Sequence, residues 1–188
     1  MADVLTASDL RLGTTFERNG ELFQVMDFQH VKQARGSAFV RTKFKNLLSG
    51  SVTEETFRPE EKLARVRIER TDVQYLYRDG DHFILMDLTS YDQITVSLEQ
   101  LGDAVRYLRE NDNLGLLQYE GRILGVELPA AVELRVIQTD PGFRGDTANA
   151  GTKPATLETG LTVEVPLFVN EEELIRVDTR TGKYMERV

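Results

Sequence analysis

Cysteine is absent from this sequence, and histidine occurs only twice, at His30 and His82. The lack of cysteine excludes disulfide bonds, thiol chemistry and cysteine-based zinc sites. The two histidines do not have the spacing of a helix-borne metal site, and the chain has neither a Gly-Lys-Ser/Thr phosphate loop nor a Gly-x-Ser-x-Gly elbow. These absences predict a protein that is not an enzyme, has no catalytic residue and needs no metal ion or cofactor.

Long apolar runs are also missing. No stretch approaches the roughly 20 apolar residues that a membrane-spanning helix requires. The first residues, Met-Ala-Asp-Val-Leu-Thr, lack the basic and apolar regions of a signal peptide. With 40% apolar residues the chain can still bury real cores. We therefore expect a soluble, cytoplasmic protein with no membrane partner.

Acidic residues are frequent in the chain as a whole, whose formal net charge is −8, yet none occurs between Asp27 and Glu54. Residues 1–64 carry nine basic and nine acidic residues, residues 65–128 seven and twelve, and residues 129–188 seven and ten. Affinity for nucleic acid follows the number of phosphates that basic residues neutralise. Any RNA contact should therefore be local, and only the first segment can offer a basic surface.

The acid-free span predicts a β-hairpin. Apolar and basic residues alternate from Val40 to Lys45, as in a strand with one face in a core and the other in solvent. The preceding apolar residues predict a partner strand whose phase slips near Val25, as at a β-bulge. Gly36 allows the chain to reverse and would place Arg35 at the tip. An ordinary solvated hairpin with incidental charge is the alternative. The exposed basic face would consist of Arg41, Lys43 and Lys45.

The rest of the chain reads as short strands separated by turns, which predicts an all-β protein. Boundaries near Ala64 and Pro129 would divide it into three modules, at residues 1–64, 65–128 and 129–188. Short strands with at most one helix suggest five-stranded OB-type barrels. One helix is predicted where Leu98, Leu101, Val105 and Leu108 recur, with Ser97 and Gln100 as a capping box and Gly102 as a weak point. Pro166, which lacks an N–H group, predicts either an edge strand or a position where its nitrogen faces solvent.

One loop in the third module is rich in glycine and polar groups. It runs from Asp140 to Thr147, and its polar side chains could contact a base edge or a ribose. A purely structural loop is the alternative. The candidate RNA-contacting residues here are Arg144, Gly145, Asp146 and Thr147.

The hairpin resembles the tip hairpin of the bacterial elongation factor P family, whose usual tip reads Lys-Pro-Gly-Lys-Gly. Here Gln33 and Ala34 replace the Pro-Gly, and Arg35 replaces the lysine that many members modify. An elongation factor P-like paralogue subfamily also has Ala-Arg-Gly at its tip. That subfamily typically lacks Gly-Asp-Thr and Leu-Glu-Thr-Gly, and both are present here, at residues 145–147 and 157–160. The pattern therefore favours elongation factor P itself over the paralogue.

The same family's third-domain signature resembles four stretches, at residues 145–147, 153–160, 165–169 and 177–184. Residues 74–77 and 83–87 resemble its second domain, so the similarity covers essentially the whole chain. It implies an SH3-like or KOW-type barrel followed by two OB-fold barrels, arranged as an L-shaped mimic of tRNA. It also implies a monomeric translation elongation factor that stimulates peptide-bond formation and relieves stalls at consecutive prolines.

The resemblance further implies partners and site residues. The partners would be both subunits of the ribosome, the peptidyl-tRNA, mRNA in the exit site and an arginine-modifying enzyme acting on Arg35. An OB-type module that binds free single-stranded RNA is the alternative, but it would need aromatic platforms in a basic groove, and residues 65–188 are acidic overall. The tip that contacts the ribosome and tRNA would comprise Lys32, Gln33, Ala34, Arg35 and Gly36, supported by the basic face.

Overall fold

A computed structural model describes residues 3–32, 37–141 and 151–188. Contacts divide the chain into two compact units: Met1–Arg70 with Leu117–Leu124, and Thr71–Leu116 with Gly125–Val188. The described part is built on three β-sheets, in agreement with the predicted all-β class. The module boundaries near Ala64 and Pro129 stay predictions. No helix among the described residues is both long and apolar enough to cross a membrane.

The first sheet has six strands, ordered β1-β6-β2-β3-β4-β5. A 3-10 turn at Ala7–Asp9 follows β1. Asn19 and Gly20 both have positive φ, 54° and 79°, which is the backbone of the tight type I′ hairpin turn that an Asn-Gly pair favours. The strands are β1 Asp3–Thr6, β2 Thr15–Arg18, β3 Glu21–Val31, β4 Phe39–Asn46, β5 Val52–Phe57 and β6 Lys62–Arg65.

Four phenylalanines fill the core of the first sheet. Phe16 is fully buried, and its ring centroid lies 5.6 Å from that of Phe23, 5.5 Å from Phe44 and 6.4 Å from Phe57. Aromatic pairs at such separations add to the free energy gained by burying the rings. Because Phe23 lies on β3 and Phe44 on β4, this cluster fixes the root of the hairpin.

The second sheet has five strands, ordered β11-β10-β7-β8-β9. The predicted capping box forms at Ser97 and Gln100, but the helix ends at Leu101. Gly102, at φ 54° and ψ −136°, breaks it, and the chain continues as a 3-10 helix over Gly102–Tyr107, so the prediction of a helix through Leu108 was wrong. The elements are β7 Glu69–Asp79, β8 His82–Asp87, β9 Gln93–Ser97, α1 Leu98–Leu101, β10 Asn113–Tyr119 and β11 Arg122–Glu127.

The third sheet also has five strands, ordered β14-β13-β12-β15-β16. Pro166 ends β14, at one end of this order, which confirms the predicted edge position. Alternate residues of β12, β13, β14 and β15 face one apolar core that includes Leu134, Leu157 and Ile175. The strands are β12 Ala131–Thr139, β13 Thr152–Leu157, β14 Thr162–Pro166, β15 Leu174–Asp178 and β16 Tyr184–Arg187.

Candidate functional site

The hairpin of β3 and β4 is the most extended feature of the first sheet. Its strands pair from Phe23 with Asn46 to Val31 with Phe39, and the register shifts between Val25 and Asp27. The predicted bulge is therefore confirmed. It changes which residues face inward, so that Phe23 and Val25 before the shift share the inner face with Phe28 after it.

The alternation predicted for β4 is also confirmed. Val40, Thr42 and Phe44 are buried, whereas the basic residues between and after them are exposed. A strand turns successive side chains to opposite faces of its sheet, so the basic residues share the outer face. This outer basic face consists of Arg41, Lys43 and Lys45.

The sheet pairing brings acidic side chains to the same face. Lys43 lies opposite Asp27 on β3 and opposite Glu54 on β5. The Arg41 Nε atom lies 3.6 Å from a Glu54 carboxylate oxygen. The two acidic residues that bound the acid-free span in sequence therefore fold back beside it. The face is less basic than the sequence indicated, with three basic side chains against two acidic ones.

The ion pair between Arg41 and Glu54 leaves Arg41 available to another partner. Both members of the Arg41–Glu54 pair are more than half exposed, and exposed pairs contribute only about 0–1 kcal/mol. A phosphate could replace Glu54 as the partner of Arg41 at small cost. Lys45 lies opposite Gln24 and Val52, neither of which is acidic.

Arg11 braces the inner side of the hairpin, a role that sequence reasoning missed. Its guanidinium carbon lies 5.7 Å from the centroid of the Phe28 ring, and its Nη1 donates hydrogen bonds to the carbonyls of Ser8 (3.3 Å) and Leu10 (2.7 Å). The His30 ring meets Phe28 edge-on at 5.6 Å. Arg11 thus connects β3 to the segment after the first 3-10 turn, and no local sequence pattern indicates this.

The predicted tip lies largely outside the described residues. Gln33, Ala34, Arg35 and Gly36 are not described, and Lys32 is exposed immediately after β3. The roles predicted for these residues stay predictions. The structure describes the two strands that lead to the tip and that return from it.

The predicted RNA loop of the third sheet, Arg144–Thr147, also lies outside the described residues. The chain on both sides of it is tightly held. Lys153 is only 5% exposed, and its Nζ donates a 2.6 Å hydrogen bond to the Asp140 carbonyl. The Thr139 hydroxyl donates to the Pro154 carbonyl at 2.9 Å. The ends of β12 and β13 are therefore joined where the loop leaves and re-enters the sheet.

Lys153 is a site residue to which sequence reasoning assigned no role. It shares the buried face of β13 with Ala155 and Leu157, between exposed or half-buried neighbours. A lysine at an inward position of an alternating strand is the signal that could have identified it, because lysine is rarely buried without a partner.

Family models match nearly the whole chain. The model described as "Elongation factor P (EF-P) KOW-like domain" matches residues 6–63, "Elongation factor P (EF-P) OB domain" matches 68–126, and "Elongation factor P, C-terminal" matches 132–187. Together with the three sheets, these matches confirm the predicted fold class, a KOW-type barrel followed by OB-type barrels.

Curated relatives agree in name and length. Elongation factor P of Pelotomaculum thermopropionicum is 54% identical over 185 residues, covering 98% of this chain and 100% of the relative. The protein of the same name from Carboxydothermus hydrogenoformans is 51% identical with the same coverage. Among solved structures, translation initiation factor 5A from Methanococcus jannaschii has a TM-score of 0.54 at 19% identity, covering 66% of this chain and 94% of that one. At that identity the structural likeness shows the fold alone.

Proposed function

Because the chain belongs to the elongation factor P family of translation elongation factors, we propose that it binds beside the peptidyl-tRNA on the ribosome and speeds peptide-bond formation at consecutive prolines. The observation that supports this most directly is the braced β3–β4 hairpin, which carries an outer basic face and leads to the tip segment. The factor acts in the cytoplasm as a monomer, and it contacts both ribosomal subunits.

The chemistry in this proposal belongs to the ribosome, and the chain itself is not an enzyme. Proline presents a constrained secondary amine, and a run of prolines holds the nascent chain in an awkward geometry. Orientation effects can supply several kcal/mol of a reaction barrier when they place the reacting groups in advance. A tip held against the end of the peptidyl-tRNA would lower the barrier in this way, without a catalytic side chain of its own.

The hairpin geometry suits this task. The tip must be held at a fixed distance from the body of the protein, and the paired strands, the aromatic core at their root and Arg11 provide that stiffness. Arg41, Lys43 and Lys45 would contact RNA phosphates along the hairpin. The tip itself, Lys32 to Gly36, would contact the tRNA end.

We expect the purified, natively modified protein to accelerate peptide-bond formation on templates that encode consecutive prolines and to have little effect on matched templates without them. The slow step on proline runs is the one that positioning accelerates. Rapid-quench measurement of dipeptide and tripeptide formation on programmed ribosomes would give both rates.

The matched control replaces each proline codon by an alanine codon at the same position. Equal stimulation of both templates, or stimulation of neither by natively modified protein, would contradict the proposal. If neither template is stimulated, co-sedimentation with ribosomes shows whether the protein fails to bind or binds without stimulating peptide-bond formation.

A second expectation concerns the loop of the third sheet, which would contact mRNA in the exit site. A carboxylate beside backbone amides in a glycine-containing loop can pair with the donor groups of a base edge. Asp146→Ala should therefore lower stimulation on proline templates while the urea midpoint stays unchanged. Asp140→Ala is the matched control, because it removes a carboxylate at the start of the same loop, outside the candidate RNA-contacting residues 144–147. A variant that loses activity only in proportion to its loss of stability would show that the loop is structural.

A further inference from the structure

Two turns of the third sheet contact one short segment of the second. The segment, Tyr107 to Asp112, begins at the last residue of the 3-10 helix and ends directly before β10. The first turn joins β13 to β14 and contains Glu158, and the second joins β15 to β16 and contains Gly182. Sequence analysis identified both turns only by family resemblance, and nothing in the proposed function uses them. Segment and turns all belong to the second compact unit.

Glu158, in the first turn, forms an ion pair with Arg109 of the segment. Its Oε1 accepts a 2.8 Å hydrogen bond from the Arg135 backbone N–H and lies 3.5 Å from Arg109 Nη1. The backbone N–H of Glu158 in turn donates to the Arg135 carbonyl at 2.9 Å. These hydrogen bonds within the third sheet orient the Glu158 carboxylate toward the Arg109 guanidinium.

Arg109 is oriented in the same manner from the opposite side. Its Nη2 lies 3.3 Å from Asp112 Oδ1, and its backbone N–H donates to Asp112 Oδ2 at 2.8 Å. The guanidinium is therefore held between a carboxylate of its own segment and Glu158. Both charged groups are fixed in place before they interact, so the pair loses less side-chain entropy than an ordinary surface pair.

Gly182, in the second turn, allows a close approach to Tyr107 of the segment. Its φ is +68°, a conformation that glycine adopts without strain. A Cβ at this position would lie 3.1 Å from the Tyr107 hydroxyl oxygen, and Tyr107 packs against the buried core of the third sheet. The glycine therefore lets the turn close over the tyrosine.

Asp178 fixes the shape of this second turn. Its carboxylate accepts hydrogen bonds from the backbone N–H groups of Arg180 (2.8 Å) and Thr181 (3.0 Å). Hydrogen bonds from the Thr181 and Arg180 amides hold the pKa of Asp178 below its usual range. The turn is therefore organised by its own residues and presents Gly182 to Tyr107 in one conformation.

We infer that these two turns hold the second and third sheets at one fixed angle, and that Glu158 and Gly182 are the positioning residues that set it. Two contacts on separate turns resist rotation where one contact would act as a pivot. The inference rests on contacts within the second unit and does not depend on the proposed function. If the proposed function holds, a fixed angle between the sheets would set how far the loop of the third sheet lies from the second sheet when it contacts RNA.

The absence of cysteine makes the angle directly measurable. Cysteines introduced at the exposed positions Thr95 on β9 and Thr162 on β14 can carry two spin labels. Pulsed electron paramagnetic resonance on the full chain should give one narrow distance distribution. Glu158→Ala should broaden it, and Gly182→Ala should shift its mean. Glu164→Ala and Lys183→Ala, which change exposed residues on β14 and in the second turn, should leave it unchanged.

A rescue variant separates positioning from general stability. Tyr107→Phe removes the hydroxyl that a Cβ at position 182 would meet, so it should move the mean distance in the Gly182→Ala background back toward the native value, although the strain of alanine at φ +68° remains. Tyr107→Phe would not reverse a general loss of stability. At the other turn, Glu158→Gln removes the negative charge and keeps an oxygen that can accept the hydrogen bond from the Arg135 N–H. Unchanged distributions in folded Glu158→Ala and Gly182→Ala proteins would overturn the inference. A Gly182→Ala shift that Tyr107→Phe does not reduce would place its cause in the backbone of the turn and overturn the role assigned to the contact between Gly182 and Tyr107.

Discussion

Arg35→Ala is expected to abolish the rescue of stalls at proline runs and to leave ribosome binding largely intact. By the family resemblance, Arg35 corresponds to the lysine that many members modify. Its guanidinium remains protonated at physiological pH and presents five donors in a planar fork that can bind a phosphate through two hydrogen bonds. Alanine removes all of these at the tip while the rest of the chain keeps its contacts. Peptide-bond formation on proline templates and co-sedimentation with ribosomes, measured on the same preparations, would test both parts.

Arg35→Lys is the matched control, because it keeps the positive charge but loses the planar fork. We expect it to retain only part of the activity. If Arg35→Ala rescues stalls as well as the native protein does, the functional role proposed for the tip is wrong. The ribosome-binding measurement shows whether a loss of activity arises at the tip or from failed association.

The chemistry at position 35 also bears on modification. A lysine-directed enzyme has no amine to acylate here, and a guanidinium is a far weaker nucleophile than a lysine amine. The resemblance implies an arginine-directed alternative, since some Arg-tipped family members carry a rhamnose that lengthens the tip and adds hydroxyl groups. The intact mass of the protein isolated from its native organism would distinguish a modified from an unmodified Arg35.

Local patterns predicted those features of the fold that depend on neighbouring residues. The alternation in β4, the bulge after Val25 and the Asn19-Gly20 turn all follow from the conformations of a few consecutive residues. The spacing of Leu98, Leu101, Val105 and Leu108 predicts a longer helix than the one that forms, because Gly102 interrupts it. A positive φ at that glycine ends the α-helix after one turn.

Features that depend on sheet pairing could not be predicted in this way. The net charge of the outer basic face depends on Asp27 and Glu54, which reach Lys43 only through the registers of β3 and β5. The contact of Glu158 with Arg109 joins residues 49 positions apart. The spacing of residues in one sequence does not show which distant residues the fold brings together. The family resemblance includes the turn that contains Glu158 but does not indicate that Glu158 contacts Arg109.

Phe16→Ala is expected to destabilise the first unit more than any surface change in this chain. Phe16 is 0% exposed and contacts three other phenylalanine rings. Truncating a buried phenylalanine removes its burial energy and leaves a cavity, at a cost of about 3–5 kcal/mol. Hydrogen exchange in a urea series should show the amides of β3 and β4 losing protection at lower urea than those of the third sheet. Phe168→Ala, at a ring that is 58% exposed, is the control and should cost about 1 kcal/mol or less.

Phe16→Ala also distinguishes a loss of activity caused by unfolding of the hairpin from one caused by loss of the tip side chain. Because Phe23 and Phe44 are both hairpin residues and both contact Phe16, Phe16→Ala should reduce stimulation in proportion to the unfolded fraction of the first unit. An added osmolyte, which strengthens the effective burial of apolar surface and so restores folding, should restore that activity. Arg35→Ala should lose activity with the first unit fully protected, and no osmolyte should recover it. Unchanged protection of the β3 and β4 amides in Phe16→Ala would show that the aromatic cluster does not support the hairpin.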